Sequence, residues 1–132
     1  MMSDSQDQLV TVTSETGFIP QQSKPGDDRY VFFYTITIHN DSDIACQLLS
    51  RHWVIQDSNK KVEEIYGEGV IGEQPLIQPG DKYQYTSGAV LETEIGTMEG
   101  KYFMVRKTDQ ACSQEFEIDI PRFTLSVPRT LH

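Results

Sequence analysis

Basic side chains are in short supply. The 132-residue chain carries 11 Lys plus Arg against 20 Asp plus Glu, a net charge of −9. Duplex nucleic acid and anionic membranes are gripped through Lys and Arg, so both are excluded as the main partner. Cysteine is scarce as well. Cys46 and Cys112 lie far apart with no CxxC spacing, and read as structural thiols rather than a disulfide or redox pair. No apolar run exceeds a few residues, so no membrane-inserted segment is expected. Residues 1–8 lack a basic n-region and an apolar h-region, and read as a flexible polar tail, not a secretory signal. The expected compartment is therefore cytoplasmic. The length suits one domain with one core, residues 9–132.

Helical periodicity is also wanting. Six Pro and nine Gly break the chain into short runs rich in Val, Ile, Thr, Tyr and Phe, the pattern of an all-β chain. Residues 9–19 form the first expected strand, and 20–28 a loop with two prolines. Residues 29–40 alternate most clearly: Phe32, Tyr34, Ile36 and Ile38 share the inner face, while Thr35, Thr37 and His39 oppose them. Residues 44–57 admit a helical spacing, but two alternating runs joined by a bulge fit better. A hairpin turn follows at Asp57–Lys60, with Asn59 as its left-handed residue. Further strands are expected at 61–66, 82–91, 97–107, 114–120 and from Phe123 to Val127, with Pro121 ending or bending the chain. Seven to nine strands with one apolar face each predict a two-sheet antiparallel β-sandwich.

Catalytic patterns are missing. His39, His52 and His132 have no ligand spacing, and no nucleophile elbow occurs. Neither an enzyme nor a bound cofactor is expected. What is present is a dense triplet, Arg51-His52-Trp53, and a glycine loop, Gly67-Glu68-Gly69-Val70-Ile71-Gly72. In a strand Arg51 and Trp53 share a face and His52 opposes them. Trp53 then anchors the core, and Arg51 sits at the bulge, paired with a carboxylate or facing a partner. The loop matches GxGxxG, but a dinucleotide site needs a helix after the loop. Pro75 and Pro79 forbid one, and Glu64, Glu68 and Glu73 repel phosphate. The glycines instead mark a β-rich loop needing positive φ or close backbone approach at three points. An anion nest of backbone N–H groups is the alternative. Glu63, Glu64, Glu68 and Glu73 read first as a solvated face, and second as weak Mg²⁺ ligands.

The ordered series Arg51-His52-Trp53, Gly67 to Gly72, Gln74-Pro75, Pro79-Gly80, Tyr85 to Gly88, Gly96, Met98, Gly100, Tyr102, Met104 and Ile120 to Phe123 resembles the ApaG family of bacterial proteins, over residues 9–132. The resemblance implies an immunoglobulin- or fibronectin-III-like sandwich. It also implies an association with cobalt resistance and magnesium efflux, and neighbourhood to a diadenosine tetraphosphate hydrolase gene. Similar domains in F-box proteins and in a polymerase delta-interacting protein imply an interaction module. Two functions follow as expectations. The first is a non-catalytic binding module for a protein partner, with Arg51, His52, Gly67, Gly69 and Gly72 as candidate contacts. The second is binding of a divalent cation or phosphate compound at the glycine loop. Open sheet edges make a homodimer a further expectation.

Overall fold

The computed structural model describes residues 9–107 and 114–128. The polar tail at 1–8, Cys112 and His132 lie outside the described residues. Within them the chain forms eight strands and two single 3₁₀ turns, at Pro20–Gln22 and Pro25–Asp27. The strands are β1 (Val10–Phe18), β2 (Tyr30–Asn40), β3 (Cys46–Asp57), β4 (Val62–Glu68), β5 (Leu76–Ile77), β6 (Lys82–Leu91), β7 (Ile95–Arg106) and β8 (Gln114–Ser126). They make two antiparallel sheets, one ordered β1-β2-β6 and the other β4-β3-β7-β8, with β5 added beside β3. This is the expected sandwich, with the strand pairing of fibronectin type III domains. No helix among the described residues is long and apolar enough to cross a membrane.

The alternation seen in the sequence explains the packing. Phe32, Tyr34, Ile36 and Ile38 are all buried, facing Trp53, Tyr102, Met98 and Met104 of the opposite sheet within one core. Trp53 is the hub. Tyr34, Tyr102 and Phe123 meet its ring edge-on, with centroids at 5.4, 6.3 and 5.8 Å, and such aromatic pairs add to the gain from burial alone. Cys46 is a free, buried thiol, and burial pushes its pKa up.

Two bulges adjust the register where the sequence changes phase. In β3 the pairing with β7 slips between Leu48 and Ser50. Cys46 and Leu48 before the slip, and Trp53 and Ile55 after it, therefore all face the core. The β7–β8 pairing slips between Met98 and Gly100, opposite Pro121 and Arg122. Residues 114–126 are thus one bent strand, not the two expected, because the bulge absorbs the missing N–H of Pro121. At the β3–β4 hairpin the left-handed residue is Lys60 (φ 66), not Asn59. The Asp57 carboxylate accepts the amides of Asn59 and Lys61 at 2.9 and 3.0 Å. That holds a turn whose positive-φ residue comes one position later.

A polar bolt joins the sheets at one end. Asn40 is fully buried. Its Nδ2 donates to the carbonyls of Ile44 and Ile77 at 3.0 and 2.9 Å. Its Oδ1 accepts Ser42 N at 3.0 Å and Ser42 Oγ at 2.6 Å. All four hydrogen-bonding places of the amide are used, tying the end of β2 to β5. Asn40→Leu strands these partners in the interior, and each buried unpaired group costs about 1–3 kcal/mol. We expect Asn40→Leu to lower stability by about 3 kcal/mol, read as a lower urea midpoint at unchanged m-value. A loss below about 0.5 kcal/mol, the range of ordinary surface substitutions, would remove the bolt from this account.

Candidate functional site at the glycine loop

Beyond β4 the chain makes a second, smaller hairpin. Val70 N donates to Glu73 O at 2.8 Å and Glu73 N to Val70 O at 3.0 Å. The two residues between them, Ile71 and Gly72, both have positive φ, 50 and 75. Two-residue turns of this type favour Asn-Gly or Gly-Gly, since only such residues take positive φ cheaply. Ile71 is β-branched and is therefore a strained outlier. It is also 59% exposed, so it gains little from the core in return.

The loop is fixed from below by the β3 bulge and by Arg51. The bulged Leu49 turns its carbonyl to the loop and accepts Gly69 N at 2.8 Å and Gln74 Nε2 at 2.9 Å. Arg51 pairs in register with Gly67. A Cβ at Gly67 would come within 2.7 Å of Nη1, so the missing side chain is what lets the guanidinium cross β4. Nη1 then donates to Gly69 O at 2.6 Å and Glu68 O at 3.2 Å. The sequence reading offered a carboxylate as a structural partner for Arg51; the partners found are main-chain carbonyls. Gly69 (φ 60) completes the arrangement, since a Cβ there would strike the Glu73 carbonyl oxygen. The three glycines thus supply close approach at Gly67 and Gly69 and positive φ at Gly69 and Gly72. The amides of Gly69 and Val70 are consumed within the fold, as are the carbonyls of Glu68, Gly69, Val70 and Glu73.

Beside the loop lies a cleft of about 330 Å³ lined by Tyr34, Arg51, Trp53, Val70, Ile71, Tyr85, Thr86 and Ser87. It opens between the outer strand β6 and the loop. Within the sandwich the hydroxyls of Tyr85 and Tyr102 share a short hydrogen bond across the two sheets. Burial pushes the pKa of both phenols up strongly, while the nearby Arg51 charge partly offsets this. Nη1 of Arg51 is occupied by the carbonyls, but its Nε and Nη2 have no protein partner among the described residues. Arg51 thus lines the cleft with one nitrogen fixed and the rest of the guanidinium unbonded among those residues.

His52 is not part of this constellation. It lies on the outer face of the large sheet, stacked on Tyr66 at 4.1 Å and 3° and bonded to Glu64 Oε1 at 2.9 Å. Of the five sequence candidates, Arg51, Gly67, Gly69 and Gly72 come together and His52 points away. Sequence reasoning missed the strain at Ile71, and it missed Tyr34, Tyr85 and Ser87 as cleft walls. The Tyr85-Thr86-Ser87 run on a strand beside an open edge was the available signal. Among the described residues no three His, Cys, Asp or Glu side chains are placed to hold a metal ion.

The tyrosine pair sets an alkaline limit. Both phenols keep their protons to higher pH when folded than the ordinary value of 10.0. The folded state then binds more protons than the unfolded one above that pH, so stability is full below about pH 10 and falls as pH rises past it. The urea midpoint measured from pH 8 to 11 should drop on the alkaline side. The Tyr85→Phe/Tyr102→Phe double variant should flatten that drop; an unchanged slope would show that other groups cause it.

The comparisons agree with this architecture. The ApaG domain family model matches residues 20–106. Protein ApaG of Dechloromonas aromatica (strain RCB) is 50% identical over 131 residues, 99% of this chain and 100% of the relative. Protein ApaG of Erwinia tasmaniensis is 49% identical over 123 residues, 93% of this chain and 95% of the relative. A crystal structure of an ApaA protein from Bordetella pertussis superimposes with a TM-score of 0.86 at 43% identity, covering 92% of this chain and 95% of that one. An X-ray structure of a structural-genomics target gives 0.87 at 45% identity, covering 96% and 92%. The chain belongs to the ApaG family.

Proposed function

We propose that the chain is a non-catalytic protein-recognition module that meets its partner with the glycine-loop end of the sandwich. The observation that carries this reading is Ile71, a β-branched residue kept at φ 50 and 59% exposed. Left-handed backbone costs an L-residue about 1–2 kcal/mol. Strain held at an exposed apolar tip, on a loop clamped from below, is suited to contact rather than to stability. Leu76, in β5 just after the loop, is a second exposed apolar side chain, at 49%. In this reading the cytoplasmic protein acts on cobalt resistance and magnesium efflux indirectly, through the protein it binds.

Binding of a small anion at the loop is the second reading, favoured by the open half of the Arg51 fork. Glu64, Glu68 and Glu73 around it suit one negative group better than a polyphosphate. Calorimetry with inorganic phosphate and acetate separates the two readings, with Mg²⁺, Co²⁺ and diadenosine tetraphosphate as cation and polyanion controls. The protein-recognition reading expects no binding tighter than about millimolar, or roughly 4 kcal/mol at standard state.

The direct test sets stability against recognition. Ile71→Gly removes the strain, and we expect it to raise stability by about 1 kcal/mol. With the chain as bait in lysate of its own cells, the same variant should lose the protein that the wild type captures. Tyr66→Ser, on the outer face of the large sheet, should keep it. Equal capture by wild type and Ile71→Gly would contradict the reading.

A further inference from the structure

Outer strands of sheets invite pairing, and folded proteins guard them with charge, proline, bulges or cover. The outer strand β5 has only two residues, and three of the four longer outer strands are guarded. β4 carries Glu63, Glu64 and Glu68; β8 carries Glu115, Glu117, Asp119 and the Pro121 bulge. β1 carries Glu15 and lies against β8, where Thr16 Oγ1 donates to Thr124 O at 3.3 Å. β6 differs. It pairs without a slip along β2, and from Tyr83 to Leu91 it has no charged residue and no proline.

The phase of the ladder shows which groups β6 leaves open. Asn40 N donates to Asp81 O at 2.9 Å, and Ile19 N donates to Val31 O at 2.8 Å. Hydrogen-bonded and non-bonded pairs alternate in antiparallel sheets. With the observed registers, Ile38, Ile36 and Tyr34 of β2 exchange bonds with Tyr83, Tyr85 and Ser87. The N–H and C=O groups of Gln84, Thr86, Gly88 and Val90 then point outward. Gly88 sits mid-strand with an ordinary negative φ. A Cβ there would meet nothing nearer than the Phe32 carbonyl oxygen at 3.5 Å. Nothing inside the fold requires that glycine. Glycine within a strand often marks the close approach of another backbone.

The cleft runs along this same stretch, since Tyr85, Thr86 and Ser87 form one wall and Arg51 lies opposite. We propose that β6 accepts an extended segment of a partner protein as an added strand, and that one Asp or Glu side chain of that segment enters the cleft and pairs with the open fork of Arg51. This rests on the protein-recognition reading above and names the kind of partner. Main-chain bonds supply affinity in strand addition, and pockets for alternate side chains supply selectivity. An added strand presents every second side chain to the inner face. The acidic residue should therefore have apolar neighbours two positions away, against the exposed Ile71 and the rim of the cleft. A second copy of this chain is the poorer occupant. Antiparallel pairing of two β6 strands would bring no carboxylate from residues 83–91 to either Arg51.

The test uses the full chain and a randomised nine-residue peptide library displayed on phage. Enriched sequences should carry Asp or Glu at one fixed position with apolar residues at two positions to either side. In amide spectra the best peptide should shift Gln84, Thr86, Gly88 and Val90 more than the β4 and β8 edges. Replacing its acidic residue by the amide should weaken binding to the wild type at least tenfold and have a smaller effect on Arg51→Lys. The peptide arm of this comparison needs no protein variant to fold. No enrichment, or enrichment without an acidic position, overturns the proposal. Shifts confined to another edge also overturn it while leaving protein recognition standing. Concentration-dependent broadening at β6 without peptide assigns the edge to a second copy and overturns it as well.

Discussion

One guanidinium organises the functional end of this sandwich. Arg51 reaches across Gly67 and donates from a single nitrogen to two loop carbonyls, those of Glu68 and Gly69. A cation bonded to neutral carbonyls keeps its charge while its position is fixed. The loop in turn depends on it, because the chain after β4 leaves the sheet ladder at Gly69 and Arg51 is what holds the carbonyls of Glu68 and Gly69. The Leu49 carbonyl, turned outward by the bulge, holds Gly69 and Gln74, while Tyr83, Gln47 and Leu48 hold the far side of the loop at Glu73, Gln74 and Pro75. Gly67, Gly69, the bulge and Arg51 are thus one device, and a Cβ at either glycine would disrupt it.

The device also explains why an acidic protein can offer a positively charged feature. Residues 51–100 contain 4 basic and 9 acidic side chains, so the field around the loop is negative. Against that background Arg51 is local. Its charge is half-buried, where screening by solvent and salt is weaker than at the surface. The wall opposite is uncharged, formed by Tyr34, Tyr85 and Ser87. Such a site favours one well-placed negative group and disfavours a polyanion, which would meet Glu64, Glu68 and Glu73 together.

Much of the fold was legible because it is written in side-chain alternation. The inner face of β2 was readable residue by residue, and the phase change after Leu48 announced the bulge that the β3–β7 register contains. The site was less legible, because its bonds run to the main chain. Carbonyl oxygens of Glu68 and Gly69 carry no letter, so a carboxylate was offered as the partner of Arg51. The same holds at Asp57, whose side chain binds two amides and moves the left-handed residue to Lys60. Ile71 was invisible for a different reason. Its residue type argues against positive φ, and only the paired hydrogen bonds of Val70 and Glu73 impose it. Tyr85 and Tyr102 meet across two sheets from strands joined only through the fold, which no local pattern reveals.

The central claim is that Arg51 holds the loop, and through it Ile71, in one shape. ¹⁵N relaxation of residues 67–73 in wild type and Arg51→Lys tests this directly. The account predicts order parameters near 0.85 for these amides in the wild type. In the variant they should fall below about 0.6 while the amides of β3 and β7 stay rigid. A loop equally rigid in both proteins, or already mobile in the wild type, would contradict it.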